Sequence, residues 1–559
     1  MTNFASQTAV DPRSAEDLAR EVAELRGIYE RLFPTQNLRI ILFQGQDPVW
    51  GAPIVVEDPF TATAATTRPE LLGTLMRPGA HPGAGEVTVL VSVPRAPTPA
   101  ERRITDAPWR PNGRLGPLYR LHPMAYEEVR FRAEMLRKRL SHRRHPTTRI
   151  PFGAGSPALA RPEAATTDAR PAILIGMHWL EVGGAEKLGF DTIEWALAAG
   201  LRVFVVASVP ALQRLADRLP QHPDVQLIRL DRYLPAHLWP RYVEALVRDE
   251  NIRLIHIHHC TPLYDSLPQL RVFCPWVKVI DSTHVIEYAD GGYPRTSGVW
   301  SDFIDIHHVI SADLVRYYRD RFQVVSKVRM GRMLDRHPAG AEPPQPRLTV
   351  GQKTLHASFV GRLYYQKRPL VVVAALRALA AWARKNDVVF TATMVGEGPF
   401  EDACARLLQR YGIADQVTRL PGNADVPALL SRSDILLLPS NNEGLALVCY
   451  EAIDHGCIPI STDVGSQSEI VPADLLVPLA PRAAVRAIVA AVDRMWRDPE
   501  FLTRQKDALL RARSRLSADV TARDVLMPIY RKVAGTLADT PKGDAPAAAP
   551  LAAPAQIGG

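Results

Sequence analysis

Short apolar runs alternate with helical patterns over much of this 559-residue chain, and this alternation limits the possible folds more than any other feature. The runs AILIGM, RVFVVA, RLIHIH and VKVIDS are apolar at most positions, as in strands that are buried on both faces. Between the first two lies EKLGFDTIEWALAAG, whose apolar residues have helical spacing and which stops at Gly200. Strands that alternate with helices form parallel sheets with right-handed crossovers. The sequence therefore predicts a doubly wound α/β domain.

A second segment of the same kind follows a stretch rich in proline and glycine at 335–353. LHASFVG, VVFTATMVG, DILLLPS and IPIST have the pattern of strands, and PLVVVAALRALAAWARKN and EDACARLLQRYG have that of helices. Ligands of such sheets bind outside the carboxyl ends of the strands. Two facing domains would therefore leave a binding cleft between them.

Linker-like stretches divide the chain into four parts. Residues 149–171 are rich in Pro, Gly and Ala, and residues 540–559 are too poor in large apolar side chains to pack. The expected parts are an N-terminal extension at 1–165, a first domain at 166–345, a second domain at 346–536 and a disordered tail at 537–559.

The N-terminal extension carries few interpretable motifs. SAEDLAREVAELRGIYERLF indicates a helix with Ser14 as its N-cap, and NLRIILFQ and EVTVLVSV indicate strands separated by a long stretch rich in Pro, Gly and Thr. Residues 124–144, MAYEEVRFRAEMLRKRLSHRR, indicate a basic helix. Such a helix packs on the body of the protein or docks on an anionic membrane face, and the sequence leaves both open.

Composition limits the classes of partner. Hydrophobic residues make up 47% of the chain and charged residues 23%, as in an ordinary globular protein. The formal charge of +8 fits a solvated basic surface, or attraction to a polyanion, an anionic membrane or a phosphorylated small molecule. Neither the basic and aromatic pattern of an RNA-binding sheet nor a zinc-finger spacing occurs, so we expect no nucleic-acid partner.

Three features bear on location. No apolar run reaches the roughly 18 to 20 residues of a spanning helix. The start, MTNFASQTAVDPRSAED, lacks the basic and apolar regions of a secretory signal. Five cysteines form no C-x-x-C pair, and their odd number does not indicate a disulfide framework. We therefore expect a cytoplasmic protein.

Two cations and several glycines follow strands of the second segment. Arg362 and Lys367, in VGRLYYQKRP, lie just past a strand, where they are well placed for a diphosphate, although a solvated loop has the same pattern. Gly396, in MVGEGP, and Gly422 with Asn423, in RLPGNADVP, follow two further strands. Glycine lets the backbone approach a ligand closely, but it is equally typical of a plain strand-to-helix turn.

Two glutamates flank the apolar run in SNNEGLALVCYEAIDHGCIPI. We expect a helix from about Gly444 to His455, with Glu443 at its entrance and Glu451 two turns along, roughly 12 Å away along the axis. The free N–H groups at the helix entrance suit an anion, and carboxylates accept hydrogen bonds from vicinal hydroxyls. For this spacing alone, two unrelated surface glutamates are the alternative. In its context, the pattern predicts a site that spans a nucleotide and its attached group.

Several of these motifs together resemble the family 4 glycosyltransferases of GT-B fold. They are GGAEK, VGRLYYQKRP, VGEGP and LLSRSDILLLPSNNEGLALVCYEAIDHGCIPISTDVGSQSEIV. The resemblance covers about 171–535 and is strongest at 355–472. It implies transfer of a sugar from a nucleotide-diphosphate donor to a sugar, lipid-carrier or polysaccharide acceptor with retained anomeric configuration. The setting that it implies is the synthesis of surface polysaccharide or glycolipid, with possible peripheral contact with the inner membrane face.

The resemblance also implies roles for individual residues. Glu443 would lie near the donor sugar and Glu451 on the ribose, while Arg362 and Lys367 would bind the diphosphate. His284, in VIDSTHVIEY, matches a histidine beside the transferred sugar. The catalytic set is His284, Arg362, Lys367 and Glu443. The donor-binding set is Gly183, Gly184, Gly361, Gly396, Gly422, Asn423, Gly444, Leu445, Leu447 and Glu451.

No metal or other cofactor is expected beside a UDP- or GDP-linked donor. The histidines in HIHH and HH lie in strand-like runs without acidic or cysteine partners at a ligand spacing, and no D-x-D triplet occurs. Arg362, Lys367 and a helix N-terminus would neutralise the leaving group instead. Two rival functions stay open: a non-catalytic nucleotide-sugar-binding or scaffold protein, and another GT-B enzyme such as an epimerase or a sugar phosphorylase.

Overall fold

A computed structural model describes most of the chain. The described ranges are 15–47, 50–57, 70–95, 116–141, 145–153, 169–181, 184–211, 213–287, 290–334 and 344–535. Ser14, Gly183 and the expected tail at 537–559 lie outside them.

The N-terminal extension forms a small mixed sheet and three helices. Its elements are α1 (Ala15–Leu32), β1 (Asn37–Gln44), β2 (Ile54–Val56), β3 (Leu71–Arg77), β4 (Glu86–Val93), α2 (Gly116–Leu121) and α3 (Pro123–Ser141). The sheet order is β2-β4-β1-β3, in which β1 is parallel to β4 and antiparallel to β3. The predicted helices and the strands β1 and β4 are confirmed. The sequence did not predict β2 and β3, whose residues are all partly or fully exposed.

The first domain is a parallel sheet with helices on its faces. Its strands are β5 (Ala172–Met177), β6 (Arg202–Ala207), β7 (Val225–Ile228), β8 (Ile252–His258), β9 (Lys278–Thr283), β10 (Ile306–Val309) and β11 (Val328–Met330). Its helices are α4 (Gly184–Ala198), α5 (Leu230–Tyr233), α6 (Trp239–Asp249), α7 (Thr261–Phe273), α8 (Gly292–Val299) and α9 (Ala312–Phe322). The sheet order is β11-β10-β9-β8-β5-β6-β7, so the topological switch point lies between β5 and β8.

The second domain repeats this topology. Its strands are β12 (Thr354–Val360), β13 (Val389–Val395), β14 (Val417–Leu420), β15 (Ile435–Leu438), β16 (Ile458–Thr462) and β17 (Leu476–Val477). Its helices are α10 (Pro369–Lys385), α11 (Glu401–Arg410), α12 (Val426–Leu430), α13 (Leu447–Asp454), α14 (Gln467–Ile470), α15 (Pro481–Arg497) and α16 (Pro499–Ser517). The order β14-β13-β12-β15-β16-β17 places the switch point between β12 and β15. Two doubly wound domains and an extension, the GT-B fold class that the sequence predicts, are thereby confirmed.

The extension contacts both domains. Its sheet and α1 share a buried core with the first domain, where the Tyr29 hydroxyl donates to the Tyr233 carbonyl over 2.9 Å. Helix α3 packs instead on α10 and α15 of the second domain. The predicted basic helix therefore has one face on the body of the protein.

The last described helix, α17 (Ala522–Ala534), crosses back to the first domain and packs on α4. A capping box of Thr521 and Asp524 starts this helix. Leu526, Met527 and Tyr530 join the core behind β5 and β6. The first domain is therefore completed by residues that follow the second domain in the sequence.

Within the described ranges, no helix combines the length and hydropathy needed to cross a bilayer. All five cysteines are buried free thiols. Burial raises the pKa of the Cys260 and Cys404 thiols to about 12, so neither is a reactive thiolate at neutral pH.

Candidate functional site

Two predicted site residues form an ion pair where β12 and β15 end. Lys367 closes a short 3-10 turn after β12, and Glu443 lies on the loop after β15. Lys367 Nζ lies 2.6 Å from Glu443 Oε1, and the two side chains are 18% and 7% exposed. Charges withdrawn from water to this degree need a partner. The switch point of the second sheet therefore holds a fixed positive and a fixed negative group in contact.

Hydrogen bonds join the two loops that carry this pair. Asn441 donates its backbone N–H to the Gln366 carbonyl over 2.7 Å. The Gln366 side chain donates back to the Asn442 carbonyl over 2.9 Å. The position of Lys367 relative to Glu443 is thus fixed by backbone contacts on both sides.

Gly444 brings the second domain against the first. A Cβ at this position would lie 1.8 Å from the carbonyl oxygen of His284, just after β9, so only glycine fits. The neighbouring Asn442 side chain donates to the Ile286 carbonyl of the same first-domain loop over 2.8 Å. Gly444 and His284, both predicted site residues, therefore adjoin Glu443 at the domain boundary.

The His284 ring is buried without a hydrogen-bond partner for either nitrogen among the described residues. Burial, and then the nearby His259 and His258, hold its pKa well below the usual value. The ring is therefore neutral at neutral pH and offers one N–H donor and one acceptor. Since buried polar atoms are almost always paired, this capacity is available to a ligand.

Gly396, a further predicted glycine, is required by packing between the ends of β12 and β13. A Cβ at Gly396, whose φ is +134°, would lie 2.1 Å from the Gly361 carbonyl oxygen. Gly361 itself lies against the side chain of Lys367. Close approach of two loops accounts for Gly396 without a ligand.

Gly422 and Asn423 lie on an exposed turn after β14. The Gly422 N–H is 3.4 Å from Glu397 Oε1, and a Cβ at Gly422 would meet no atom within 4 Å. No packing requirement selects glycine here. The structure joins this turn to the loop after β13 and not to the Lys367–Glu443 pair.

Helix α13 begins at Leu447, so the expected start near Gly444 is wrong. Ala446, its N-cap, is extended (φ −78°, ψ 91°), because Gly444 is held by its contact with His284 and accepts the Ser466 N–H. The distance expected for Glu443 and Glu451 on one continuous helix therefore does not apply. Leu445 is buried and Leu447 is half-buried, as suits anchors of this turn.

Helix α4, whose first residue is Gly184, carries charged residues that lie near charged residues of the second domain. Burial raises the pKa of Glu186, and the Arg362 guanidinium is close enough to lower it partly. Burial likewise raises the pKa of Glu451, which Lys187 partly lowers. The first turn of α4 thus lies near two predicted site residues, Arg362 and Glu451.

A cavity of about 230 Å³ adjoins Glu443 on the side of the first domain. Its walls include Glu287 and Asp290 of the first domain, and Lys138 and His145 of the extension. Burial raises the pKa of Glu287. Sequence reasoning missed the extension residues, since the extension matches no motif that could have marked them.

One histidine of HIHH, His256, and one of HH, His308, take part in a hydrogen-bond chain through the first sheet. His308 Nε2 donates to the Gly331 carbonyl, so its Nδ1 accepts from the Ser282 hydroxyl over 2.9 Å. The Ser282 oxygen then accepts from His256 Nε2, whose Nδ1 accepts from the Tyr530 hydroxyl over 2.6 Å. Burial holds the pKa of His256 well below its usual value and lowers that of His308 to about 4, so both are neutral. In the described part of the chain, no group of three or more His, Cys, Asp or Glu side chains is placed to hold a metal.

Comparison with known proteins finds a family model that matches most of the second domain. Residues 346–509 match the family model described as glycosyl transferases group 1. Glycogen synthase of Mycobacterium tuberculosis is 33% identical over 165 residues, which cover 29% of this chain and 38% of that protein. D-inositol 3-phosphate glycosyltransferase of Gordonia bronchialis is 28% identical over 282 residues, which cover 48% of this chain and 58% of that protein.

The chain thus spans less than two thirds of the length of either relative. The solved structure of sucrose-phosphate synthase from Thermosynechococcus elongatus is 20% identical with a TM-score of 0.48, over 66% of this chain and 100% of that chain. The similarity to the glycosyl transferases group 1 family model covers residues 346–509 of the second domain.

Proposed function

We propose that this chain is a retaining glycosyltransferase of family 4, which moves a hexose-type sugar from a UDP- or GDP-linked donor to an acceptor hydroxyl. The observation that carries the proposal is the Lys367–Glu443 pair at 2.6 Å. It lies at the switch point of the domain that matches the family model, and it faces the first domain. Doubly wound sheets bind nucleotides at this position.

Cations of the second domain would stabilise the leaving group. As the bond from the anomeric carbon to the diphosphate oxygen breaks, negative charge builds on the diphosphate. Lys367 and Arg362 follow β12 and supply fixed positive charge there, and the first-turn N–H groups of α13 add to it. These groups would do this without a metal ion.

Polar side chains would recognise the rest of the donor. The Glu443 carboxylate, already turned toward Lys367, would accept hydrogen bonds from sugar hydroxyls, and Glu451 would accept them from the ribose. The neutral ring of His284 would donate to, or accept from, a further sugar hydroxyl. The close contact of Gly444 with His284 would help to exclude water from the reacting bond.

The cavity beside Glu443 would receive the acceptor. Carboxylates such as Glu287 and Asp290 suit the hydroxyls of a sugar, whether it is free, on a lipid carrier or at the end of a polysaccharide. Synthesis of surface polysaccharide or glycolipid on the cytoplasmic side of a membrane is the setting that we propose for this reaction.

A panel of UDP- and GDP-sugars tests the donor. We expect one of them to raise the melting temperature of the full chain, because a ligand that binds the native state stabilises it. Mass spectrometry and NMR should then detect a transferred sugar with the anomeric configuration of the donor. Binding without transfer to any acceptor would favour the non-catalytic rival, and no binding by any nucleotide sugar would contradict the proposal.

A further inference from the structure

Helix α3 exposes an apolar stripe on its outer face. Val129, Leu136 and Leu140 are 44%, 58% and 43% exposed. Their spacing places them within an arc of about 40° on the helix. Single exposed apolar residues are common, but an aligned set on one helix face marks an interaction surface.

Arginines flank this apolar stripe on both sides. The Arg132 side chain is 78% exposed, and Arg137 and Arg139 are also exposed. They lie about 60 to 80° from the centre of the stripe, with Arg137 on one side and the other two on the opposite side. Glu128, 3.8 Å from Arg132, offsets part of this charge. Apolar residues between arginines are typical of helices that lie in a lipid interface.

The opposite face of α3 is held by the second domain. The Arg130 guanidinium lies 3.1 Å from the centre of the Tyr365 ring, and Glu127 is fully buried. Lys138, about 180° from Val129, lines the cavity beside Glu443. Since the inner face is fixed, the apolar stripe keeps a constant direction away from the protein.

We propose that the stripe and arginines of α3 dock this chain on the surface of an anionic phospholipid bilayer. The three apolar side chains would enter the interface, while the arginines would contact lipid phosphates. This positive charge favours anionic lipid over an apolar partner protein. Docking would bring the cavity within about 10 Å of the bilayer surface, since one helix diameter separates them. The inference is independent of the proposed function.

Sedimentation of the purified full chain with vesicles tests the docking. We expect the chain to bind vesicles of equal parts phosphatidylglycerol and phosphatidylcholine, and to bind pure phosphatidylcholine at least tenfold more weakly. Raising the salt concentration should release the chain, because salt screens the arginines from the lipid. The variant with Val129→Ser, Leu136→Ser and Leu140→Ser should bind the anionic vesicles at least fivefold more weakly.

A matched variant separates this surface from general stickiness. Ile54 and Met76, 62% and 59% exposed on the extension sheet, are changed to Ser together and should leave vesicle binding intact. Melting temperatures of both variants show that they are folded. Failure of the wild-type chain to bind anionic vesicles would overturn the proposal, as would equal binding by the wild-type chain and the α3 variant.

Discussion

Lys367 Nζ donates to Glu443 Oε1 over 2.6 Å, although 76 positions separate the two residues in the sequence. The contact joins the loops after β12 and β15, the two strands at the switch point of the second sheet. Both groups are largely withdrawn from water, so their contact offsets part of the cost of burying them. In the proposed function, a diphosphate would bind beside this pair, whose position the fold fixes before the ligand arrives.

Lys367→Ala should lower turnover with the donor sugar that the nucleotide-sugar panel identifies. The loss should be about 100-fold in kcat, as for removal of one group that stabilises a developing charge. Donor KM should change little. Lys353→Ala, at a 72% exposed lysine, is the control and should keep wild-type kinetics. Wild-type turnover by a folded Lys367→Ala variant would show that Lys367 does not act on the leaving group.

Glu451→Ala should raise donor KM with kcat nearly unchanged. A lost hydrogen-bonded contact to the ribose that is equally strong in the ground and transition states changes KM alone. We expect about a tenfold increase, which corresponds to about 1.4 kcal/mol. Steady-state kinetics of Glu401→Ala, an exposed glutamate on α11, gives the baseline. An unchanged KM would remove Glu451 from the donor site.

Gly444→Ala should destabilise the contact between the two domains. The added Cβ would be 1.8 Å from the His284 carbonyl oxygen, so the two loops must move apart. Overpacking of this kind costs about 1–3 kcal/mol and should lower the melting temperature. Gly422→Ala adds the same atom where nothing lies within 4 Å, and it should melt with the wild type. Equal melting of the two variants would mean that the domains do not meet at Gly444.

Glu127→Gln should change the free energy of unfolding more favourably at pH 8 than at pH 5. Burial raises the pKa of Glu127 to about 7, against the opposing effect of Arg368 and Arg130. The folded state therefore holds a proton that the unfolded state has released, so stability falls as pH rises from about 4.5 to 7. Glutamine removes this loss, which amounts to at most about 3 kcal/mol.

Unfolding by urea at both pH values measures the effect of Glu127→Gln. Glu128→Gln, at the neighbouring half-buried residue beside Arg132, is the control and should show no such difference. If the two variants responded to pH alike, Glu127 would not carry the raised pKa.

Tyr530→Phe should destabilise the first domain. The Tyr530 hydroxyl donates to His256 Nδ1 over 2.6 Å, and its removal leaves a buried acceptor unpaired. Such a loss costs about 1–3 kcal/mol. Calorimetry should show a lower melting temperature for Tyr530→Phe. Tyr411→Phe, at a half-buried ring beside Arg377, should have little effect on it. No shift with Tyr530→Phe would contradict the proton positions assigned to the histidine chain.

Most of the strands that sequence patterns predicted contain a run of buried apolar residues. β5 and β15 are apolar throughout, and β8 is buried at all but one position, because helices cover both sides of their sheets. The missed strands β7 and β11 are short and mostly half-exposed, so they lack that pattern. Hydrophobic periodicity and hydropathy therefore predict the central strands of each sheet better than the strands at its edges.

Sequence patterns singled out several of the residues that meet at the domain boundary, but they did not predict the contacts between them. Lys367 and Glu443 follow strands that motif spacing could locate, yet nothing local indicated that they pair. The start of α13 was misplaced because Gly444 is held by the distant His284. Lys138 reaches the cavity from a different part of the chain. Each of these facts depends on tertiary contacts that no local pattern encodes.

Helix α17 also limits how this protein can exchange parts with its relatives. The two domains are interleaved in the gene, since the segment that closes the first domain is encoded after the second. A recombination that replaces only residues 346–509 keeps both Tyr530 and its hydrogen-bond partner His256 from the same parent. One that replaces everything after residue 346 would separate them, so internal replacement should preserve the core of the first domain better than exchange of whole 3′ ends.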